Sequence, residues 1–147
     1  MTHILVIEDE PMTQTTIQKM LSKAGGFEVT ITEDVDHALA LIRSERVALV
    51  MMDVSLTNSH HAGRLIDGLA FTRLIKAEPA GQNLPVLLAT AYALIGEAER
   101  LLAESGADGY IAKPFANAKA LVDKVQAMLN EQQTKSLSLN LRVKHNG

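Results

Sequence analysis

Four places in the 147-residue chain set a reactive side chain directly behind a short apolar run. ILVI is followed by the acids Glu8, Asp9 and Glu10, VALVMM by Asp53, PVLLA by Thr90, and GYIA by Lys113. Brought together, Glu8, Asp9, Asp53, Thr90 and Lys113 offer three carboxylates, a hydroxyl and an ammonium. Two carboxylates about 5 Å apart repel by about 3 kcal/mol at an effective dielectric of 20, so three in one pocket need a counter-cation or raised pKa values. Oxygen ligands with room for water suit Mg²⁺. Lys113 adds positive charge, and Thr90 can donate a hydrogen bond to a phosphoryl oxygen. Such a set serves phosphoryl transfer onto a carboxylate, a reaction that asks mainly for alignment and for neutralisation of equatorial oxygens. Asp53 would be the nucleophile and acceptor. Singly, each residue has an ordinary explanation: Asp53 and Thr90 as caps or turn residues, Glu8 and Asp9 as acids favouring a helix N-terminus, Lys113 as a solvated lysine.

Whether these side chains meet depends on the elements that carry them. Val47 to Asp53 is a short run rich in valine, leucine and methionine, the pattern of a strand buried on both faces. Ile4 to Ile7 is a similar strand, and Pro11 suits the first turn of a following helix with Ile17, Met20, Leu21 and Ala24 at helical spacing. Gly25-Gly26 stops that helix, and FEVTIT then alternates like a half-exposed strand near a sheet edge. Val35, Ala38, Leu39 and Ile42 stripe a second helix, with Thr32 or Asp34 as its cap. Asp67 caps a third, whose buried face is Phe71, Leu74 and Ile75. Pro85 to Thr90 is the fourth strand, and Leu94, Ala98, Leu101 and Leu102 stripe the fourth helix. Gly109 to Ala112 is the fifth strand, and Leu121, Val122, Val125, Met128 and Leu129 mark the fifth helix. Strand then helix, five times, predicts an α/β fold: a doubly wound five-stranded parallel sheet flanked by five helices. Parallel strands bring their carboxyl ends to one edge, where open α/β sheets bind ligands.

The length fits one domain over residues 1–131 with an extension over 132–147. In that extension Leu137, Leu139, Leu141 and Val143 alternate with Ser138, Asn140 and Arg142, which reads as a possible extra C-terminal strand or as a frayed tail. Hydrophobic residues are 47% and charged residues 21%, ordinary values for a globular protein. The absence of cysteine excludes a disulfide framework, a thiolate metal site and a cysteine nucleophile. No apolar run approaches the roughly 18 residues of a membrane span, and the N-terminus lacks a basic leader, so a cytoplasmic location without membrane attachment is expected. A net charge of −3 with scattered basic residues argues against nucleic acid as a partner.

ILVIEDEP, VMMDVSL, LLATAYAL and GADGYIAKPF together resemble the response-regulator receiver domain of two-component signalling, over about Ile4 to Leu129, in its stand-alone single-domain form. The resemblance implies a flavodoxin-like sheet of order 2-1-3-4-5. It implies that Glu8, Asp9, Asp53 and the backbone carbonyl of Ser55 hold Mg²⁺, that Thr90 is the switch hydroxyl, that Lys113 contacts the phosphoryl group, and that Tyr110 is a rotating aromatic. The Lys113-Pro114 bond is expected to be cis. A sensor histidine kinase or histidine phosphotransfer protein would supply the phosphoryl group to Asp53. The chain would then be a phosphoacceptor that assists its own phosphorylation and dephosphorylation, not a multi-turnover enzyme. With no output domain following, the signal is expected to leave through the face of the fourth helix, fifth strand and fifth helix. That face, or the C-terminal extension, would meet a downstream protein partner or a second copy in a homodimer. Ser55 and Tyr92, each two residues past a site residue, are positions that tune access of hydrolytic water in this family.

The sequence also departs from the pattern. Receivers commonly carry a proline four residues after the acceptor, where this chain has Thr57, and the loop from there to Asp67-Gly68 is longer than usual. The inserted residues Asn58 to Arg64 include His60 and His61, which as adjacent residues point in different directions and read as a solvated loop, not a metal pair. The insertion is expected to cover or flank the acid pocket and to contribute to partner choice or phosphoryl lifetime. A phosphatase of the haloacid dehalogenase type is the enzyme alternative. It requires a second aspartate two residues after the nucleophile, where this chain has Ser55. A degenerate receiver used only for docking is the other alternative, and it would lack the acceptor, the lysine or the acids.

Overall fold

The structure, a computed structural model, describes the backbone of residues 1–91, 94 and 96–146, with side chains up to residue 138. The central sheet contains β1 (His3–Ile7), β2 (Glu28–Thr32), β3 (Leu49–Asp53), β4 (Val86–Thr90) and β5 (Gly109–Ala112), all parallel, in the order β2-β1-β3-β4-β5. This is the expected doubly wound arrangement. The helices are α1 (Pro11–Lys19), α2 (Val35–Arg43), α3 (Gly68–Ala77), α4 (Glu97–Ser105) and α5 (Ala118–Asn146). A π-helical turn, Met20–Ala24, continues α1 before the chain enters β2.

The two-residue period of the strands builds two cores from the same runs. Leu5, Ile7, Val50, Met52, Val86 and Leu88 face one way and pack on α2, α3 and α4 through Leu39, Phe71, Ile75 and Leu101. Ile4, Val6, Leu49, Met51, Leu87 and Ala89 face the other way and meet Ile17 and Leu21 on one side and Leu121, Val125 and Met128 of α5 on the other. Every residue of β3 and β4 is buried, which is why both read as unbroken apolar runs. β2 pairs only with β1, and its residues are half-buried or exposed, as alternation near an edge predicts. The third-helix cap is as expected: Asp67 Oδ1 accepts from Ala70 N–H at 2.9 Å. For the second helix the cap is Asp34, whose Oδ1 accepts from His37 N–H at 2.9 Å.

Two expectations are corrected. α4 begins at Glu97, after Gly96 at φ 90°, so Leu94 precedes the helix and is 74% exposed instead of striping its buried face. The possible strand at Leu137 to Val143 is helix: α5 runs from Ala118 to Asn146. Residues 118 to 146 contain neither glycine nor proline, and a helix already nucleated on the sheet gains one hydrogen bond for each further residue it orders. A strand would have needed an edge to pair with. Leu137 is 64% exposed on this helix.

The insertion after β3 forms a small antiparallel hairpin, His60–His61 against Arg64–Leu65. Its two turn residues, Ala62 (φ 53°) and Gly63 (φ 78°), both have positive φ, as a type I′ turn requires. Alanine in the left-handed region costs roughly 1–2 kcal/mol, whereas asparagine tolerates it. Ala62→Asn is therefore expected to stabilise the protein by about 1 kcal/mol, seen as a higher urea midpoint at unchanged slope. Among the described residues no helix is long and apolar enough to cross a membrane.

Candidate functional site

The strand registers align the reactive ends. Ile7 pairs with Met52, Asp53 with Ala89, and Thr90 with Ala112, so Glu8, Asp53, Thr90 and Lys113 leave neighbouring strands at one edge of the sheet. Glu8 is 1% and Asp53 4% exposed. Glu8, Asp9 and Asp53 each place a carboxylate oxygen within 4.8 Å of the others, forming a candidate metal group. Lys113 reaches over this cluster, with Nζ 3.2 Å from Asp53 Oδ1 and 3.4 Å from Glu8 Oε2. The peptide bond between Lys113 and Pro114 is cis.

Local hydrogen bonds fix each acid differently. Glu8 Oε1 accepts from Glu10 N–H at 3.2 Å, and the Glu8 carbonyl accepts from Gln14 Nε2 at 2.6 Å. Asp53 Oδ1 accepts from Ser55 N–H at 3.0 Å as well as from Lys113. Both of these donors engage the same oxygen of the carboxylate, Oδ1. Asp9 Oδ2 accepts from both Thr57 N–H at 2.7 Å and Thr57 Oγ1 at 3.1 Å. Glu10, the third acid of the EDE run, turns away to cap α1. Its carboxylate accepts from Met12 N–H at 3.1 Å and from Thr13 N–H and Oγ1, both at 2.6 Å. The Thr13 hydrogen bonds hold its pKa below the ordinary value.

The electrostatics follow from burial and crowding. Burial raises the Glu8 pKa, and the nearby Asp53 charge raises it further, against the opposing pull of Lys113. Burial disfavours the Lys113 ammonium, but Asp53 and Glu8 outweigh it and hold the lysine above its usual value. With all three acids ionised, one lysine leaves the pocket with two uncompensated negative charges, which suits a divalent cation. A six-coordinate ion with oxygens at about 2.1 Å spaces its ligand atoms roughly 3 to 4 Å apart, so the carboxylate oxygens, grouped within 4.8 Å, could hold a metal ion once drawn closer together.

Thr90 ends β4 and is buried, and its carbonyl accepts from Lys113 N–H at 2.9 Å. Tyr110, paired across the strands with Leu88, is half-buried against the core on the α2, α3 and α4 side. Ser55 is exposed and contributes its amide to Asp53. Tyr92 lies outside the described residues. Neither His60 nor His61 belongs to the metal group found among the described residues. The contact that sequence reasoning missed is Thr57 with Asp9. Its one signal was the replacement of a proline, which has no N–H, by a residue with two donors.

Fold and site together define a doubly wound α/β protein whose topological edge carries an acid cluster bridged by a lysine. Residues 4–126 match the response regulator receiver domain family, and the chain belongs to that family. The response regulator MprA of Mycolicibacterium vanbaalenii is 32% identical over 126 residues, covering 86% of this chain and 49% of that protein. The polar-differentiation response regulator DivK of Brucella anthropi is 28% identical over 113 residues, covering 77% of this chain and 85% of that one. The hybrid signal transduction histidine kinase I of Dictyostelium discoideum is 32% identical over 128 residues, of which this chain spans only 7%. The receiver domain of sensor histidine kinase PA1611 from Pseudomonas aeruginosa, solved with a magnesium ion coordinated in its active site cleft, has a TM-score of 0.72. It is 32% identical and covers 88% of this chain and 98% of that one.

Proposed function

We propose that the chain is a phosphorelay response regulator that accepts a phosphoryl group on Asp53 from a sensor histidine kinase or histidine phosphotransfer protein. The observation that carries this reading is the Asp53 carboxylate, 4% exposed, grouped with Glu8 and Asp9 and held on one oxygen by Lys113 at 3.2 Å. Asp53 Oδ2 attacks phosphorus, and the bond from phosphorus to the donor imidazole nitrogen breaks as the electron pair returns to the ring. Lys113, fixed by Oδ1, carries positive charge to the developing phosphoryl oxygens, and the Thr90 hydroxyl donates to one of them. Mg²⁺ held by Glu8, Asp9, Asp53 and the Ser55 carbonyl would supply further positive charge against those oxygens.

An aspartyl phosphate adds about −1.5 to −2 charge at this edge. Drawing Thr90 toward it opens space for Tyr110, and the face of α4, β5 and α5 changes for a downstream protein partner or a second copy of the chain. Residues 132–146, the distal part of α5, would extend that face. A groove of about 430 Å³ between α1, at Met12 and Thr16, and Pro114 and Phe115 has Lys113 in its lining and so borders the site.

The test is incubation with acetyl phosphate and Mg²⁺ followed by intact mass. One phosphoryl adduct per chain is expected. Continuous release of phosphate over many turnovers would instead favour the phosphatase, and no adduct would favour a docking module. Lys113→Met is expected to slow adduct formation by about a hundredfold, the usual loss on removing one group that stabilises transition-state charge. A time course by mass or by phosphate-affinity gel checks it, and an unchanged rate would remove Lys113 from the mechanism.

A further inference from the structure

Asp9 differs from the other two acids in what holds it. Glu8 is fixed by Glu10 N–H and Lys113, and Asp53 by Ser55 N–H and Lys113. Among the described residues Asp9 receives hydrogen bonds from Thr57 alone, through N–H at 2.7 Å and Oγ1 at 3.1 Å, both on Oδ2. Resting on the reading of Asp9 as a Mg²⁺ ligand, we propose that Thr57 is a positioning residue for that carboxylate and makes Mg²⁺ affinity depend on the inserted hairpin.

The geometry gives the reason. Two donors on one oxygen fix the plane of the carboxylate and leave Oδ1 for the ion. Without them a half-buried aspartate samples several rotamers, and binding must order it. Hydrogen bonds to ligating carboxylates typically change metal affinity by 10–100-fold when lost. Thr57 is itself held in place from both sides. Leu56 before it is buried in the core. Ser59 after it is 1% exposed, with Oγ donating to the Glu33 carbonyl at 2.7 Å and its own carbonyl accepting from Ile66 N–H at 2.8 Å. The base of the hairpin therefore sets where Thr57 stands, and so where Asp9 points. A proline at position 57 could make neither bond, since it has no N–H and no hydroxyl.

Mg²⁺ titration of the full chain by calorimetry, with circular dichroism to verify folding, tests the proposal on Thr57→Pro, Thr57→Val and Thr57→Ser. Thr57→Pro should weaken Mg²⁺ binding at least tenfold, Thr57→Val by a few-fold because the amide remains, and Thr57→Ser should match the native chain. By linkage, saturating Mg²⁺ should also slow hydrogen exchange of the Thr57 amide in the native chain. Should Thr57→Pro fail to fold, the Val and Ser pair and the exchange measurement still decide. Native affinity in both folded Pro and Val variants, or in Val alone where Pro does not fold, would overturn the role of Thr57, as would an amide indifferent to Mg²⁺. A native chain that does not bind Mg²⁺ would overturn the ligand assignment as well, which separates the two failures.

Discussion

Asp53→Asn is expected to abolish the phosphoryl adduct formed with acetyl phosphate and Mg²⁺ while leaving the protein folded. An amide oxygen is a far weaker nucleophile than a carboxylate, and the neutral side chain would not form an acyl phosphate. The geometry survives, because asparagine has nearly the same shape and its Oδ1 can still accept from Ser55 N–H and Lys113, the two donors that Asp53 Oδ1 engages at 3.0 and 3.2 Å. The substitution also removes a like charge beside Glu8, whose pKa is raised partly by Asp53. Stability at neutral pH should therefore hold or rise slightly, by about 1 kcal/mol at most. Intact mass should show a single adduct on the native chain and none on the variant. An adduct of equal yield on Asp53→Asn would move the acceptor to another residue and defeat the assignment.

Gly68→Ala is expected to destabilise the fold by about 3 kcal/mol, the largest effect of any single methyl added near the site. A Cβ at this position would lie 2.1 Å from the carbonyl oxygen of Asp53 and 2.8 Å from Cα of Val54. Both are backbone atoms at the end of a fully buried strand, so neither can swing aside as a flexible side chain would. α3 must instead move off β3, which also breaks the hydrogen bond from Gly68 N–H to the Val54 carbonyl at 3.1 Å. Urea denaturation should show a lower midpoint, and adduct formation should slow because the displaced carbonyl is that of the acceptor itself. Gly26 has open space around its Cβ position and lies outside the site, so its alanine variant should pay only the strain of φ 68° and keep its rate of adduct formation. Equal midpoints for Gly68→Ala and the native protein would show that the helix docks more loosely than its spacing suggests.

Much of this architecture was legible in the chain because buried parallel strands leave a strong local mark. Four or more apolar residues in succession, flanked by glycine, proline or acids, located β1, β3 and β4, and the alternation in FEVTIT identified an edge strand. The Gly96 break and the C-terminal helix were not legible for one shared reason. Leu94 falls at helical spacing from Ala98 and Leu101, and Leu137 to Val143 alternate as a strand would, yet periodicity records only which side chains could share a face. Whether a helix has already been nucleated upstream, as in α5, or is interrupted by a residue at positive φ, as at Gly96, lies outside that record.

By itself the sequence determined the strand ends and the chemical types they carry, because both depend on residues within a few positions of one another. Tertiary structure alone decided how those groups are used. Of the three successive acids, Glu8 and Asp9 join Asp53, while Glu10 is taken by the first turn of α1, whose free N–H groups compete for its carboxylate. Lys113 meets Glu8 across 105 positions of sequence, and Thr57 meets Asp9 across 48. Such contacts are set by strand register and loop path, since a hydrogen bond tolerates only a few tenths of an ångström and no local pattern carries that precision.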